Sequence, residues 1–264
     1  MAVCCVGNSG RFYWGRPFPD NRAGYSVGMS DTSWSVRKRR LLSQYSPRLL
    51  YVLIGINVAV YVLWQFARRN ADPAALTLGE VGVPMTGWTW FFAWMQNNFI
   101  LSADLVASGR IWTVLTSEFS HVEPTHLLFN MIGLFVFGTA VHQVVRDVLF
   151  VKLYVLAAIV ASVAHVVWGL ITGDPTGALG ASGAVMGIAV VYAFLFPERR
   201  LLLFFVVPVP AGIAVLLFIG IDLLGVVGVV QNRTAHMAHL GGVAYGAGFY
   251  LLWLRKRIKR VERR

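Results

Sequence analysis

The stretch 177-GALGASGAVMG-187 opens an apolar run that reads as a membrane helix over about 182–196, yet a serine sits between glycines at its mouth. A lipid-facing helix would carry leucine there. Gly180 and Gly183 flank Ser182, and Gly187 lies one turn below Gly183. Small residues at this spacing let two helix backbones approach closely. Further along, 238-AHLGGVAYG-246 places Gly242 and Gly246 just under His239 in a second small-residue stripe. Close approach of these stripes is what a serine on one helix needs to meet a histidine on another.

The rest of the chain agrees with a membrane setting. Of 264 residues, 57% are hydrophobic and 13% are charged, about half the charged share of a soluble domain. The apolar residues lie in long blocks rather than amphipathic stripes. The net charge of +11 raises the question of nucleic acid, but its placement answers it. The basic residues gather in 37-RKRR-40 and 255-RKRIKRVERR-264, beside apolar runs. That pattern predicts membrane orientation, with a lipid bilayer and its anionic headgroups as partner and no nucleic acid. Cys4 and Cys5 are the only cysteines, so neither a disulfide framework nor a cysteine metal site is expected.

Residues 1–45 lack an apolar core and are expected to be a disordered, basic, cytoplasmic segment, in which Met29 would also make an ordinary start. Residues 46–254 form the expected membrane domain and 255–264 a basic cytoplasmic tail. Six spans are predicted, at about 49–67, 126–145, 148–171, 182–196, within 202–230, and 236–254. Pro208 and Pro210 blur the start of the fifth. The first connection, about 50 residues, is too long for a plain loop. Its 87-GWTWFFAWMQNNFIL-101 reads as an interfacial segment lying partly in the leaflet, since Trp favours that depth. With both termini on the cytoplasmic side, 19 Lys and Arg lie inside and four (Arg68, Arg69, Arg110 and Arg233) outside. The fold class is an all-α membrane protein, a six-helix bundle with a long, partly embedded first loop.

Depth singles out a site. Counted back from Pro197, Arg255 and Arg146 at ~1.5 Å per residue, Ser182 lies about 22 Å up, and His239 and Asn130 about 24 Å. His126 is one turn above Asn130 on the same face. A hydrocarbon core is ~30 Å thick, so four polar groups on three parallel helices converge below the outer surface. Taken singly, Ser182 could be an N-cap, His239 a core histidine and Asn130 interhelical glue. Together they permit chemistry. Neutral imidazole suits the removal of a proton from a serine hydroxyl. The Ser182 N–H, the Asn130 amide and the His126 ring are candidate oxyanion donors. No acid is apparent at that depth, so a serine–histidine pair is expected rather than a triad.

The residues 121-HVEPTHLLFN-130, 180-GASG-183 and 238-AHLGGVAYG-246 together resemble the rhomboid intramembrane serine proteases, over roughly 49–254. The resemblance implies a serine endopeptidase acting through Ser182 and His239 by an acyl-enzyme. It further implies oxyanion stabilisation by Ser182 N–H, His126 and Asn130, and a supporting role for His121. Substrates would be membrane proteins cut in or near a transmembrane helix, with no cofactor and no metal. Where the family often carries Trp-Arg, this chain has 110-RIW-112, and His236, one turn before His239, competes as a base. The alternative within the family is a catalytically silent protein that binds membrane helices. Outside it stand a histidine-based metalloenzyme, for which no HExxH stretch exists, and a channel, for which Asp222 would be the intramembrane acid. His142 and His165 read as structural. Asp20 and Asp31 interrupt the N-terminal region, which does not resemble a transit peptide, so a bacterial plasma membrane is expected, with an organelle second.

Overall fold

The computed structural model describes residues 5–6, 47–72, 87–203, 206–230 and 235–262. The chain enters as α1 (Arg48–Asn70), whose last turn contains Arg68 and Arg69. The long connection then folds into short helices, α2 (Gly87–Phe99), α3 (Ala103–Ala107) and α4 (Thr113–Thr116), the last running into a 3-10 turn at Ser117–Phe119. Next come α5 (Pro124–Val145), α6 (Asp147–Thr172) and α7 (Ser182–Leu195). Pro124 opens α5, where its missing N–H costs nothing. Arg146, at φ 70°, turns the chain tightly into α6. Gly173 ends α6 in the left-handed conformation that glycine tolerates best.

Strands β2 (Arg200–Leu203) and β3 (Val207–Pro210) form an antiparallel hairpin, with Arg200 opposite Pro210 and Leu203 opposite Val207. Cys5–Val6, β1, adds a third strand beside β2. Otherwise the segment expected to be disordered, 1–45, lies outside the described residues. The hairpin corrects the reading of 202–230: a residue such as Pro208 cannot donate to a helix ladder, so the helix waits until α8 (Ala211–Val226). The all-α expectation therefore holds for the bundle but not for this small sheet. Last comes α9 (His236–Gly248), continued through a π-helical turn at Phe249–Leu254 into α10 (Arg255–Glu262). Residues 255–262 of the basic tail thus extend the last helix.

Helices α1, α5 and α6 are long and apolar enough to cross a membrane, whereas α7 and α8 are shorter apolar helices. Length and composition therefore support three of the six expected spans directly. The buried heart is α7, packed against α5, α6, α8 and α9. Ala184, Ile188, Val191 and Tyr192 on it are closed off, and Tyr192 meets Phe137 of α5 with ring centroids 5.2 Å apart. Large apolar side chains face outward instead, among them Leu170, Ile171, Leu216 and Leu252. Lipid is the solvent that suits such a surface. In lipid, helices are held by close van der Waals contact rather than by exclusion of water.

That contact is tightest where α7 meets α9. A Cβ on Gly242 would stand 1.9 Å from the Gly183 carbonyl oxygen, and one on Gly246 2.2 Å from that of Gly187. On the opposite side, a Cβ on Gly183 would stand 2.4 Å from Cβ of Ala161 in α6. The two glycine stripes form a backbone-to-backbone seam, as their spacing predicts.

Candidate active site

Ser182 is the first residue of α7, and the N-cap is Ala181. The Ser182 Oγ donates to His239 Nε2 at 2.7 Å. The seam explains how the two come together. Gly183 and Gly242 are the neighbouring positions at which α7 and α9 touch, so serine and histidine are left facing each other one step along.

The loop before Ser182 is pinned by main-chain bonds. Leu101 and Ala178 exchange N–H···O bonds of 2.9 and 2.7 Å. The Gly180 N–H donates to the Ser117 carbonyl at 2.9 Å, and the Ala181 N–H to His121 Nε2 at 3.4 Å. Gly180 has φ 117°, and a Cβ on it would stand 2.5 Å from the His126 ring. Both backbone and neighbour therefore require glycine. The first helical N–H to find a carbonyl is that of Val185, which bonds Ala181. This leaves the Ser182 N–H outside the ladder, as at any helix N-terminus.

The expected oxyanion residues gather at the same end. Asn130 Nδ2 donates to His121 Nε2 at 3.0 Å and to the His126 carbonyl at 3.1 Å. The rings of His121 and His126 meet edge-on at 4.9 Å. His121, in the loop before α5, is fully buried, and burial, with His126 adding to it, lowers its pKa to about 3. It is therefore neutral at ordinary pH, and its Nε2 is an acceptor for both Asn130 and Ala181. In the resting arrangement the Asn130 amide is thus engaged, and donation to an oxyanion requires it to leave one of these partners.

The long connection clasps this assembly to α1 and α6. Trp64 Nε1 donates to Ser120 Oγ at 2.6 Å, and Gln65 Nε2 to the Val122 carbonyl at 2.8 Å. Ser162 of α6 donates to Glu118 Oε1 at 2.9 Å. Arg110 reaches both the carbonyl and the side-chain oxygen of Asn97, while Trp112 Nε1 donates to Asn98 Oδ1 at 2.9 Å. Those bonds explain the polar interruption of α2, and they show what 110-RIW-112 does here. His142 bonds Asp147 at 2.9 Å and His165 bonds the Thr176 carbonyl at 3.0 Å, so neither joins the cluster. Among the described residues no group of three His, Cys, Asp or Glu is arranged to hold a metal ion.

Sequence reasoning named Asp222 only as the acid a channel would need and missed its place beside His239. It lies on α8, 4% exposed, with Oδ1 2.9 Å from His239 Nδ1 and 2.8 Å from His236 Nδ1. The depth count that aligned the other groups needed a marked helix end, and Pro208 and Pro210 hid that of α8. Gly225, on the same face three residues on, was the available signal: a Cβ there would stand 2.2 Å from the His236 ring. His236, read as a competing base, faces Asp222, while His239 alone faces Ser182.

A bundle of apolar helices, three of them long and apolar enough to cross a membrane, carries a hydroxyl–imidazole pair at the head of its buried helix. The Rhomboid domain profile matches residues 108–256, more than half of the sequence, and the chain belongs to the rhomboid family. RHOMBOID-like protein 12, mitochondrial, of Arabidopsis thaliana is 36% identical over 196 residues, covering 69% of this chain and 57% of that protein. Rhomboid protein 1, mitochondrial, of Saccharomyces cerevisiae is 32% identical over 215 residues, covering 78% and 54%. Rhomboid-like protein 16, chloroplastic, of Arabidopsis thaliana is 30% identical over 227 residues, covering 79% and 62%. The chain thus spans between about half and two thirds of the length of these relatives. They are organellar proteins, which overturns the expected bacterial plasma membrane and, with it, the cytoplasmic termini.

Proposed function

We propose that the chain is an intramembrane serine endopeptidase, with Ser182 as nucleophile and His239 as general base. The observation that carries this reading is the 2.7 Å contact between Ser182 Oγ and His239 Nε2 at the head of a buried helix. A hydroxyl so placed loses its proton to imidazole as it attacks a carbonyl carbon. The Oγ–C bond forms, the carbonyl becomes an oxyanion, and the proton rests on Nε2. Collapse breaks the C–N bond, and His239 gives that proton to the departing amine. Water, deprotonated by His239, then attacks the acyl carbon, the C–Oγ bond breaks, and His239 returns the proton to Ser182 Oγ. The Ser182 N–H, His126 and Asn130 are assigned to the oxyanion, Asn130 on leaving one of its resting partners, and His121 supports Asn130 through their mutual bond.

The six-span bundle is α1, α5, α6, α7, α8 and α9, within a domain of about 46–254. Helix α7, at 14 residues, covers only ~21 Å, less than a ~30 Å hydrocarbon core. Its head therefore lies in a recess that water enters from one side, as hydrolysis requires. The substrates are membrane proteins cut in or near a helix, and the names of the relatives support a mitochondrial membrane as the setting.

The test uses purified protein in detergent and a fluorescently tagged single-span substrate, with EDTA present throughout. Wild type should cleave, while Ser182→Ala and His239→Ala should each lose at least about 10⁴-fold in kcat. Equal cleavage by Ser182→Ala would sink the assignment. Failure of all three to cleave, with the substrate still bound, would favour the silent helix-binding alternative.

A further inference from the structure

The reaction above leaves Asp222 without a part, although it is the only acid in α8, whose sequence is otherwise AGIAVLLFIGIxLLGV. An ionised group in such a place is expensive unless paired. Its Oδ1 accepts from two imidazoles, His236 Nδ1–H at 2.8 Å and His239 Nδ1–H at 2.9 Å. One of these, His236, would suffice to anchor α8 on α9, and Gly225 makes room for its ring. The bond to His239 is therefore additional. It falls on the nitrogen opposite the one that faces Ser182, so that Asp222, His239 and Ser182 form an unbroken chain.

We infer that Asp222 is a positioning residue for His239, converting the expected serine–histidine pair into a Ser182–His239–Asp222 triad. The inference rests on the proposed reaction. A carboxylate accepts only, so it selects the His239 tautomer with hydrogen on Nδ1. That leaves the Nε2 lone pair aimed at the Ser182 hydroxyl. When the Ser182 proton moves to Nε2, the ring becomes an imidazolium whose Nδ1–H still faces the Asp222 charge. Asp222 itself neither gains nor loses a proton. His236, on the same oxygen, holds α8 against α9. An amide at 222 has the same shape but presents an N–H that favours the wrong tautomer.

The experiment compares wild type, Asp222→Asn, Asp222→Glu and His236→Asn, as full chains in detergent. It reads kcat and KM on the single-span substrate, the rate of covalent labelling of Ser182 by a fluorophosphonate probe, and thermal unfolding. Asp222→Asn should lower kcat and labelling together by about 10²-fold or more, with KM within about twofold of wild type. Asp222→Glu keeps the charge and should recover at least about tenfold of that loss; should the Asn variant fail to fold, a Glu variant with depressed kcat at unchanged KM carries the same conclusion. His236→Asn should lower the unfolding temperature while keeping kcat within about fivefold. Labelling of Asp222→Asn at the wild-type rate would overturn the inference. So would equal losses of rate in Asp222→Asn and His236→Asn that follow their losses of stability, since helix docking alone then explains both. Wild type that labels no faster than Ser182→Ala would instead refute the underlying reaction, and this inference with it.

Discussion

The head of α7 is held on one side by α9 and on the other by the long connection between α1 and α5, and the two contacts are made in opposite ways. The seam with α9 is built by leaving side chains out: Gly183, Gly187, Gly242 and Gly246 bring main chain against main chain. Its contacts carry no charge. The clasp is built from polar groups, including Trp64 on Ser120, Gln65 on the Val122 carbonyl, Ser162 on Glu118 and His121 on Ala181. The seam fixes the distance between Ser182 and His239 with nothing that can rotate or titrate. The clasp delivers the donors around His126 and Asn130, and every bond in it can be broken and remade. The proposed reaction, in which a chain is bound, cut and released, calls for both: a pair held at fixed distance and surroundings that can rearrange.

The largest test of this contrast is Gly242→Val. Its Cβ alone would stand 1.9 Å from the Gly183 carbonyl, and main chain cannot swing aside as a side chain does. Overpacking of this kind usually costs about 1–3 kcal/mol; here two helices must part, so the loss should exceed about 4 kcal/mol and abolish cooperative unfolding in detergent. A folded, stable Gly242→Val would mean that the seam is not what holds the two helices.

The clasp should be sensitive to pH where the seam is not. Glu118 is buried between the connection and α6, and burial raises its pKa from 4.5 to about 8, with the Ser162 hydrogen bond opposing. Since the folded value is the higher one, the stabilising contribution is complete below pH 4.5 and is lost as pH rises toward 8. His121, lowered from 6.5 to about 3, acts in the opposite direction, losing stability as pH falls below 6.5. Between pH 6.5 and 8 the Glu118 effect therefore stands apart from that of His121. There the unfolding free energy should fall by about 1.4 kcal/mol per pH unit, or about 2 kcal/mol in all. Glu118→Gln keeps the shape and the hydroxyl contact and should flatten that slope. An unchanged slope in the variant would move the pH dependence to another group and leave the clasp as inert as the seam.

How much of this was legible from sequence follows the same division. The seam was readable because glycines at a four-residue spacing have few other uses in a helix. The convergence of Ser182, His239 and Asn130 was readable because charged or proline-marked helix ends let depth be counted. Asp222 was not, since the prolines that hid the start of α8 belong to a hairpin which apolar Leu201, Leu202 and Val209 disguised as helix. The clasp was invisible for a different reason. Trp64 and Ser120 lie 56 residues apart, and no local pattern announces a hydrogen bond between a spanning helix and a loop. The membrane itself was legible from composition, but which membrane was not, because orientation by positive charge is common to many.

The smallest effect should come from glycines outside the seam. Gly220 lies within α8, and a Cβ there would meet nothing within 4 Å. Glycine inside a helix gives up about 0.5–1 kcal/mol relative to alanine through backbone entropy. Gly220→Ala should therefore stabilise the protein by about that amount, read as a small rise in unfolding temperature at unchanged kcat. The substitution adds one methyl group, as the first carbon of valine does at Gly242, and the sign should reverse. If Gly220→Ala were instead to slow cleavage, α8 would have to approach another surface during turnover. The contrast would then sharpen, since α8 carries Asp222, and a helix that moves would take the His239 partner with it.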